Sequence, residues 1–294
     1  MMNAARFTQY GSPDVIELHQ VPISVPGPGE VLIKVAATSF NPTETALRSG
    51  MLRTVFPVAL PYTLGWDVAG TVVDGASGWA EGDQVIGRLD AGGTAAEYVV
   101  ARADVLAPAP TSIPLTQAAA IPVAGLTAWQ AVHEQVKVTP GQRVLINGAG
   151  GGIGGFTVQL AKLAGAFVVA TASARSAAAV TAQGADQIVD YTAEPLPDGM
   201  DAVINLAPIS PESAAGLAEL VRPGGSAVSV ATPIPTYPHF VTRNDPAQLR
   251  ELVALIDAGD LSLDIAQTLP LSDLPAVHAR SEAGQTRGKI ILIP

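Results

Sequence analysis

Arg143-Val-Leu-Ile-Asn147, Gly148-Ala-Gly-Gly-Gly-Ile-Gly154 and Gly155-Phe-Thr-Val-Gln-Leu-Ala-Lys-Leu-Ala164 follow one another without a break. A short apolar run, a glycine loop and a helix-periodic run read as strand, tight turn and helix. Glycines let the backbone take positive φ and let a bulky anion approach the main chain. The helix behind them offers unpaired N–H groups and a partial positive charge to that anion. Gly150-x-Gly152-x-x-Gly155 fits the loose dinucleotide pattern, and a second apolar run at 167–171 follows Gly165 at βαβ distance. Gly150, Gly151, Gly152, Ile153 and Gly154 are the candidate phosphate-binding positions. A glycine-rich turn that closes a sheet without any ligand is the alternative.

Working outward from this unit, apolar runs alternate with helical stretches. Helices are expected near 176–183, with Gly184 as a stop, and near 212–221, and strands at 187–190, 201–206 and 226–230. This is the pattern of a doubly wound parallel sheet. Segment 238–243 is a candidate last strand, and Asn244 or Asp245 caps a helix from 246 to 258. In such sheets ligands lie beyond the carboxyl ends of the strands, which selects Leu206, Val230 and Ala231 as cofactor-lining positions, or as plain core.

Residues 1–112 read differently. Short β-branched runs at 31–36, 68–73, 84–86 and 96–100 lie between Gly, Pro and Asp, which suggests a barrel or sandwich. Thr43 to Arg48, behind Asn41-Pro42, reads as a short helix. Residues 289–293 end the chain as an apolar strand.

Composition bounds the partners. The 294 residues are 48% hydrophobic and 14% charged, so a sizeable core is expected. A net charge of −10, from 16 basic and 26 acidic residues, argues against nucleic acid and anionic membranes. No run reaches the ~20 apolar residues that span a bilayer. The N-terminus lacks the basic flank and apolar core of a secretory signal, which leads to the expectation of a soluble, cytoplasmic protein. There is no cysteine, hence no disulfide, thiol nucleophile or thiolate metal site.

Cofactor choice is read at the end of the second strand. Sites for NAD place an acid there, about 20 residues beyond the glycine loop, to bond the ribose 2′-hydroxyl. Here the position falls in Thr171-Ala-Ser-Ala-Arg175, and no acid occurs from Gly148 to Ala185. Ser173 and Arg175 could donate to a 2′-phosphate, so NADPH is the expected cofactor. Arg175 as a solvated residue opening the next helix is the alternative.

Seven stretches in order are similar to the zinc-independent quinone oxidoreductase (zeta-crystallin-like) branch of the medium-chain dehydrogenase/reductase superfamily. They are Ser39-Phe-Asn-Pro42, Leu64-Gly-Trp-Asp-Val-Ala-Gly70, Glu81-Gly-Asp-Gln-Val-Ile-Gly87, Gly125-Leu-Thr-Ala-Trp129, the glycine loop, Gly184-Ala-Asp-Gln-Ile-Val-Asp-Tyr191 and Thr286-Arg-Gly-Lys-Ile-Ile-Leu292. The resemblance implies an α/β protein: a GroES-like β-barrel domain, 1–112 with 260–294, and a Rossmann domain, 113–259. It implies hydride transfer from NADPH to a quinone or another conjugated carbonyl, an enone or enal. Asn41 is implied as a donor to substrate or nicotinamide ribose, against an Asn-Pro turn breaker. Thr127 is implied to face the nicotinamide or its phosphate, against a helix threonine bonded to backbone. Tyr62 lines the pocket, protonates a product enolate or is a core tyrosine. Tyr191 aligns with a family tyrosine facing the 2′-phosphate. A homodimer through the sheet edge near 226–243 is implied too.

Zinc-dependent relatives carry His-Glu where this chain has Trp66-Asp67, and His19, His133, His239 and His278 are scattered. A different class of function fits the same residues: a catalytically weak NADP(H)-binding protein acting as a structural or redox-sensing partner.

Overall fold

The computed structural model describes residues 1–76 and 78–294. The chain falls into two compact units: 1–123 with 244–258 and 265–294, and 124–243 with 259–264.

The first unit opens with strands β1 (Met2–Phe7) and β2 (Ile16–Val21), then β3 (Glu30–Ser39), helix α1 (Thr43–Ser49) and β4 (Tyr62–Thr63). Strands β5 (Asp67–Asp74), β6 (Gln84–Arg88), β7 (Tyr98–Arg102) and β8 (Leu106–Pro108) follow, and helix α2 (Leu115–Ala118) leaves the sheet. β2-β1-β4 form a small antiparallel sheet. The larger sheet pairs β3, β5, β6 and β8 in succession, with β7 also on β3. Val31, Ile33 and Val35 of β3 alternate inward and meet Val68, Val72, Val85, Val99 and Leu106 in one core. That alternation is the period-2 signature of a half-buried strand. Each such fully buried side chain contributes roughly 1.5–3 kcal/mol.

Helix α3 (Pro122–Trp129) starts at a proline, as first turns tolerate, and widens into a π-type turn at Gln130–Gln135. The second unit then runs β9 (Arg143–Asn147), α4 (Gly152–Leu163), β10 (Phe167–Thr171), α5 (Ala177–Ala182), β11 (Gln187–Val189), β12 (Met200–Asn205), α6 (Pro211–Glu219) and β13 (Val221–Ser229). These five strands pair in parallel in the order β11-β10-β9-β12-β13, the doubly wound sheet. Leu145, Val169, Val203 and Ala227 fill one face, while Val144, Ile146, Val168, Ile204 and Val228 are buried on the other. Burial on both faces explains why these strands read as continuous apolar runs.

The chain then returns to the first unit. Helix α7 (Pro246–Asp257) is capped by Asp245, whose carboxylate accepts from Ala247 N (3.0 Å) and Gln248 N (3.2 Å). Strand β14 (Ile265–Pro270), helix α8 (Leu274–Glu282) and β15 (Lys289–Ile293) complete it, with β15 pairing β3 at Ile291–Ser39 and Leu292–Thr38. One expected strand is absent. Segment 238–243 makes only a single bridge, His239 to Ser229. Pro238 brings no N–H to a ladder, and Thr242 and Arg243 turn to the helix at 122–135 instead.

Candidate active site

In the second unit, Gly148 leaves β9 at φ 89°, a conformation that favours glycine. A Cβ on Gly154 would lie 2.3 Å from Ala149 O, and one on Gly150 would lie 2.4 Å from Ser176 Oγ. The loop is therefore folded against itself and against the turn at 173–176, so glycine is required at both positions. Helix α4 begins at Gly152 behind Gly151, which supplies no side-chain cap. Its first N–H groups are thus available to an external anion.

The other predicted cofactor residues lie in turns and at strand ends of the same unit. Ser173 follows β10, and its carbonyl accepts from Ser176 N (2.9 Å) and Ala177 N (3.0 Å), which builds the turn that carries exposed Arg175. Leu206, Val230 and Ala231 stand half-buried at the carboxyl ends of β12 and β13, with Leu206 N on Asn147 O and Val230 N on Asn205 O. Tyr191 lies two residues past β11 and is exposed.

In the first unit, Asn41 sits in a buried polar cluster. Its Nδ2 donates to Asp67 Oδ2 (2.9 Å) and Ser39 O (3.3 Å) and faces Glu44 Oε1 (3.5 Å). Its Oδ1 accepts from Lys289 Nζ (3.0 Å). A cation on one end and a carboxylate on the other fix which end of the amide is oxygen. Both donor hydrogens are engaged, so the group that Asn41 has left for a ligand is a lone pair on Oδ1.

Asp67 is fully buried and also accepts from Val123 N (2.7 Å) and from Ser39 Oγ. Glu44 accepts from Asn41 N (3.2 Å) and Gly65 N (3.1 Å). Burial first, then the neighbouring Asp67 charge, pushes the Glu44 carboxyl up to about 7, against the pull of two backbone N–H groups and Lys289.

Tyr62 packs its ring on Phe7 (5.6 Å between centroids), and its hydroxyl oxygen accepts from Trp66 Nε1 (3.3 Å). Burial raises the phenol to about 12, so it holds its proton throughout the neutral range. Thr127 is buried and shares a hydrogen bond with the Thr242 hydroxyl at 2.6 Å. It thereby helps to seat the segment that follows β13, as Gln130 does through both the N and the O of Arg243 (3.1 and 3.0 Å).

Asp67, Glu44 and Lys289 escape a reading of the sequence as site residues, although Asp67 and Lys289 each stand out as a charge at the head of an apolar run. Asn147, Thr171, Asn205 and Ser229, a polar row at the strand ends, escape it too.

Residues 27–111 match the family model for the alcohol dehydrogenase GroES-like domain, and residues 183–292 match that for zinc-binding dehydrogenase. A chloroplast envelope quinone oxidoreductase homolog of Arabidopsis thaliana is 34% identical over 100% of this chain and 99% of its own. A 2-methylene-furan-3-one reductase of Solanum lycopersicum is 33% identical over 100% of this chain and 79% of its own. Among solved structures, the quinone oxidoreductase of Coxiella burnetii superposes with a TM-score of 0.91 at 30% identity, covering 100% and 99% of the two chains. The Escherichia coli quinone oxidoreductase complexed with NADPH gives 0.90 at 25%, covering 99% and 100%.

A GroES-like sheet followed by a glycine-loop parallel sheet defines a medium-chain dehydrogenase/reductase. The chain belongs to that superfamily, among its quinone oxidoreductases.

The expected cytoplasmic location is overturned: the Arabidopsis relative is of the chloroplast envelope, and a 29% identical NAD(P)H oxidoreductase of Mus musculus is mitochondrial. The expectation rested on a missing secretory signal, and that feature speaks only of secretion. The zinc in the second family description does not suit this donor set. Cysteine is absent, and among the described residues no three of His, Asp and Glu come together.

Proposed function

We propose that this chain is a zinc-independent, NADPH-dependent reductase that transfers hydride to a quinone or another conjugated carbonyl, an enone or enal. The observation that carries this reading is the glycine cradle at 148–154, closed against a turn that bears Ser173 and Arg175 and no carboxylate. The residues suit the cofactor: Gly150 to Gly154 would hold the pyrophosphate with backbone N–H groups, and Ser173, Arg175 and Tyr191 would hold the 2′-phosphate. Leu206, Val230 and Ala231 wall the dinucleotide.

NADPH, when bound, supplies the hydride. Asn41 would offer a ligand the lone pair on Oδ1, the one polar position its neighbours leave open. Tyr62 receives the Trp66 N–H on its oxygen, which leaves its own proton to give to the substrate oxygen. Thr127 orders the segment at 242–243. A conjugated acceptor spreads the arriving charge over its own carbonyl system, so hydrogen-bond donors are sufficient to stabilise it. For the division of labour we propose 1–112 with 260–294 for the substrate and 113–259 for the cofactor, although helix α7 packs on β8 in the first compact unit. The edge of β13 would carry a homodimer.

The test follows NADPH oxidation spectrophotometrically with simple quinones and enones, before and after prolonged chelation. Turnover that survives chelation supports the proposal. Stoichiometric zinc whose removal abolishes activity, or NADPH binding without turnover of any such acceptor, overturns it.

A further inference from the structure

Four polar side chains lie side by side at the carboxyl ends of adjacent strands in the parallel sheet: Thr171 on β10, Asn147 on β9, Asn205 on β12 and Ser229 on β13. Asn147 is in register with Asn205, and Asn205 with Ser229. Thr171, Asn205 and Ser229 are no more than 2% exposed, and Asn147 is 8% exposed. Burying polar groups here costs stability unless each is satisfied.

Their hydrogen bonds run in one direction. Gly148 N–H donates to Thr171 Oγ1 (2.9 Å), so the threonine hydrogen goes to Asn147 Oδ1 (3.0 Å). That fixes the amide of Asn147, whose Nδ2 donates to Asn205 Oδ1 (2.8 Å). Asn205 Nδ2 in turn donates to Ser229 Oγ (3.0 Å) and Thr232 O (3.1 Å). The Ser229 hydroxyl ends the chain on Thr232 O at 2.7 Å. Only the last rotor has a choice, since the Ser229 hydroxyl also has Asn205 O within 3.4 Å, and the shorter bond to Thr232 O continues the row; bonds aligned head to tail polarise one another.

The two ends of this row are functional places. Gly148 opens the glycine cradle, and Ala231, whose N–H also donates to Ser229 Oγ (3.2 Å), lies in the segment after β13. We propose that Asn147 and Asn205 are positioning residues whose one-way hydrogen-bond chain couples the start of the glycine cradle to residues 229–232, so that the two walls of the dinucleotide seat are set together. This rests on the reading of the cradle as an NADPH seat.

The test is a double-mutant cycle on NADPH affinity, measured by fluorescence titration of the purified protein. Thr171→Val and Ser229→Ala remove one hydroxyl each, on strands about 14 Å apart across two intervening strands. Sites at that separation act independently unless something links them. Each variant is expected to weaken NADPH binding about three- to tenfold. The double variant is expected to be at least threefold tighter than the product of the two effects. Thr181→Val, an exposed helix threonine, serves as the control.

Asn205→Asp provides a second arm if the double variant does not fold. It keeps an acceptor toward Asn147 and removes the donor toward Ser229. Its KM for NADPH should rise more than its kcat falls, whereas a residue that only supports the fold would lose active protein, and therefore apparent kcat, at constant KM. Strictly multiplicative effects in the cycle, or an Asn205→Asp KM equal to wild type, overturn the coupling while leaving the NADPH reading intact. A wild type that binds no NADPH overturns both.

Discussion

Lys289 Nζ donates to Asn41 Oδ1 across 3.0 Å, joining the last strand of the chain to a loop 248 residues earlier. The same ammonium lies 3.3 Å from Phe40 O and 3.4 Å from Asp67 Oδ2. Asp67 has no solvent exposure, and its charge is tolerable because Lys289, Asn41, Ser39 and the Val123 N–H surround it. The orientation of Asn41 and the countercharge beside Asp67 therefore come from one residue.

Lys289→Met removes that residue while keeping most of its volume. Taking one partner from a buried pair leaves an uncompensated charge, at a cost of about 3–5 kcal/mol. Denaturant unfolding should show a loss of that order, and Asn41, free to turn, should lose affinity for its ligand as well. Unchanged stability would mean that the ion pair is dispensable.

Glu44 provides a pH signature. Its carboxyl rises from 4.5 to about 7 on folding, because of burial and the nearby Asp67 charge. An acid whose pKa is raised binds its proton more tightly in the folded state. Its contribution is fully present below pH 4.5 and is lost as pH climbs through about 7. Stability measured from pH 5 to 8 should thus fall in the wild type more steeply than in Glu44→Gln. The slope is the diagnostic quantity, because glutamine also gives up an acceptor for one of the two backbone N–H groups. Parallel slopes would place the titration elsewhere.

His278 acts at the opposite end of the pH range. It is fully buried on helix α8 against Phe40, with ring centroids 5.1 Å apart, and among the described residues neither ring nitrogen has a partner. Burial, aided by the Arg48 charge, depresses its pKa from 6.5 to about 3. The unfolded chain takes up a proton below pH 6.5 that the folded chain refuses until about pH 3, so stability falls with acidification across that window. His278→Leu should shrink this acid-side loss. It should also stabilise the protein at pH 7 by about 1–3 kcal/mol, since two unsatisfied buried atoms disappear. Destabilisation at pH 7 would show that the imidazole has a partner.

The second unit is legible in sequence because its strands are buried on both faces and its turns are marked by glycine. Val144-Leu-Ile146 and Val168-Val-Ala170 admit few other structures beside such a loop. Strands β1 and β2 are not legible. Ala4-Ala5 breaks the alternation of the first and Gln20 that of the second, and the two are held by pairing with each other and, for β1, with β4. The partners of Asn41 are hidden for a related reason. Asp67 and Lys289 are 26 and 248 positions away, and only the pairing of β15 with β3 brings Lys289 to it. Asp245 was one of two candidate caps; the structure selects it, while the Asn244 amide donates to Arg88 O at 2.6 Å. Local chemistry proposes such caps, and long-range pairing decides between them.

The edge of the parallel sheet bears on assembly. Beyond β13 the ladder continues only as the Ser229–His239 bridge, and Val241 is 72% exposed beside it. An open strand edge with apolar neighbours invites pairing. Sedimentation at micromolar concentration should show a dimer, and Val241→Asp should shift it toward monomer. A wild-type monomer under those conditions removes the homodimer from the proposal.

Cofactor discrimination is the sharpest expectation. Arg175 is exposed in the turn that Ser173 builds, and that turn touches the cradle where Gly150 meets Ser176. NADPH differs from NADH only by a phosphate on the adenosine ribose, which an arginine there would meet with a charge-assisted hydrogen bond. Such a bond contributes roughly 1.5–3 kcal/mol, and each ~1.4 kcal/mol is tenfold in affinity. Arg175→Ala should therefore weaken NADPH binding about ten- to a hundredfold and leave NADH nearly untouched. The gap between variant and wild type should narrow as salt is added, since an exposed charge is screened within about 8–10 Å at 0.1–0.15 M ionic strength. If both cofactors weaken equally, Arg175 supports the turn and does not read the phosphate. If the wild type binds NADH as tightly as NADPH, the missing carboxylate at the end of β10 does not decide the choice.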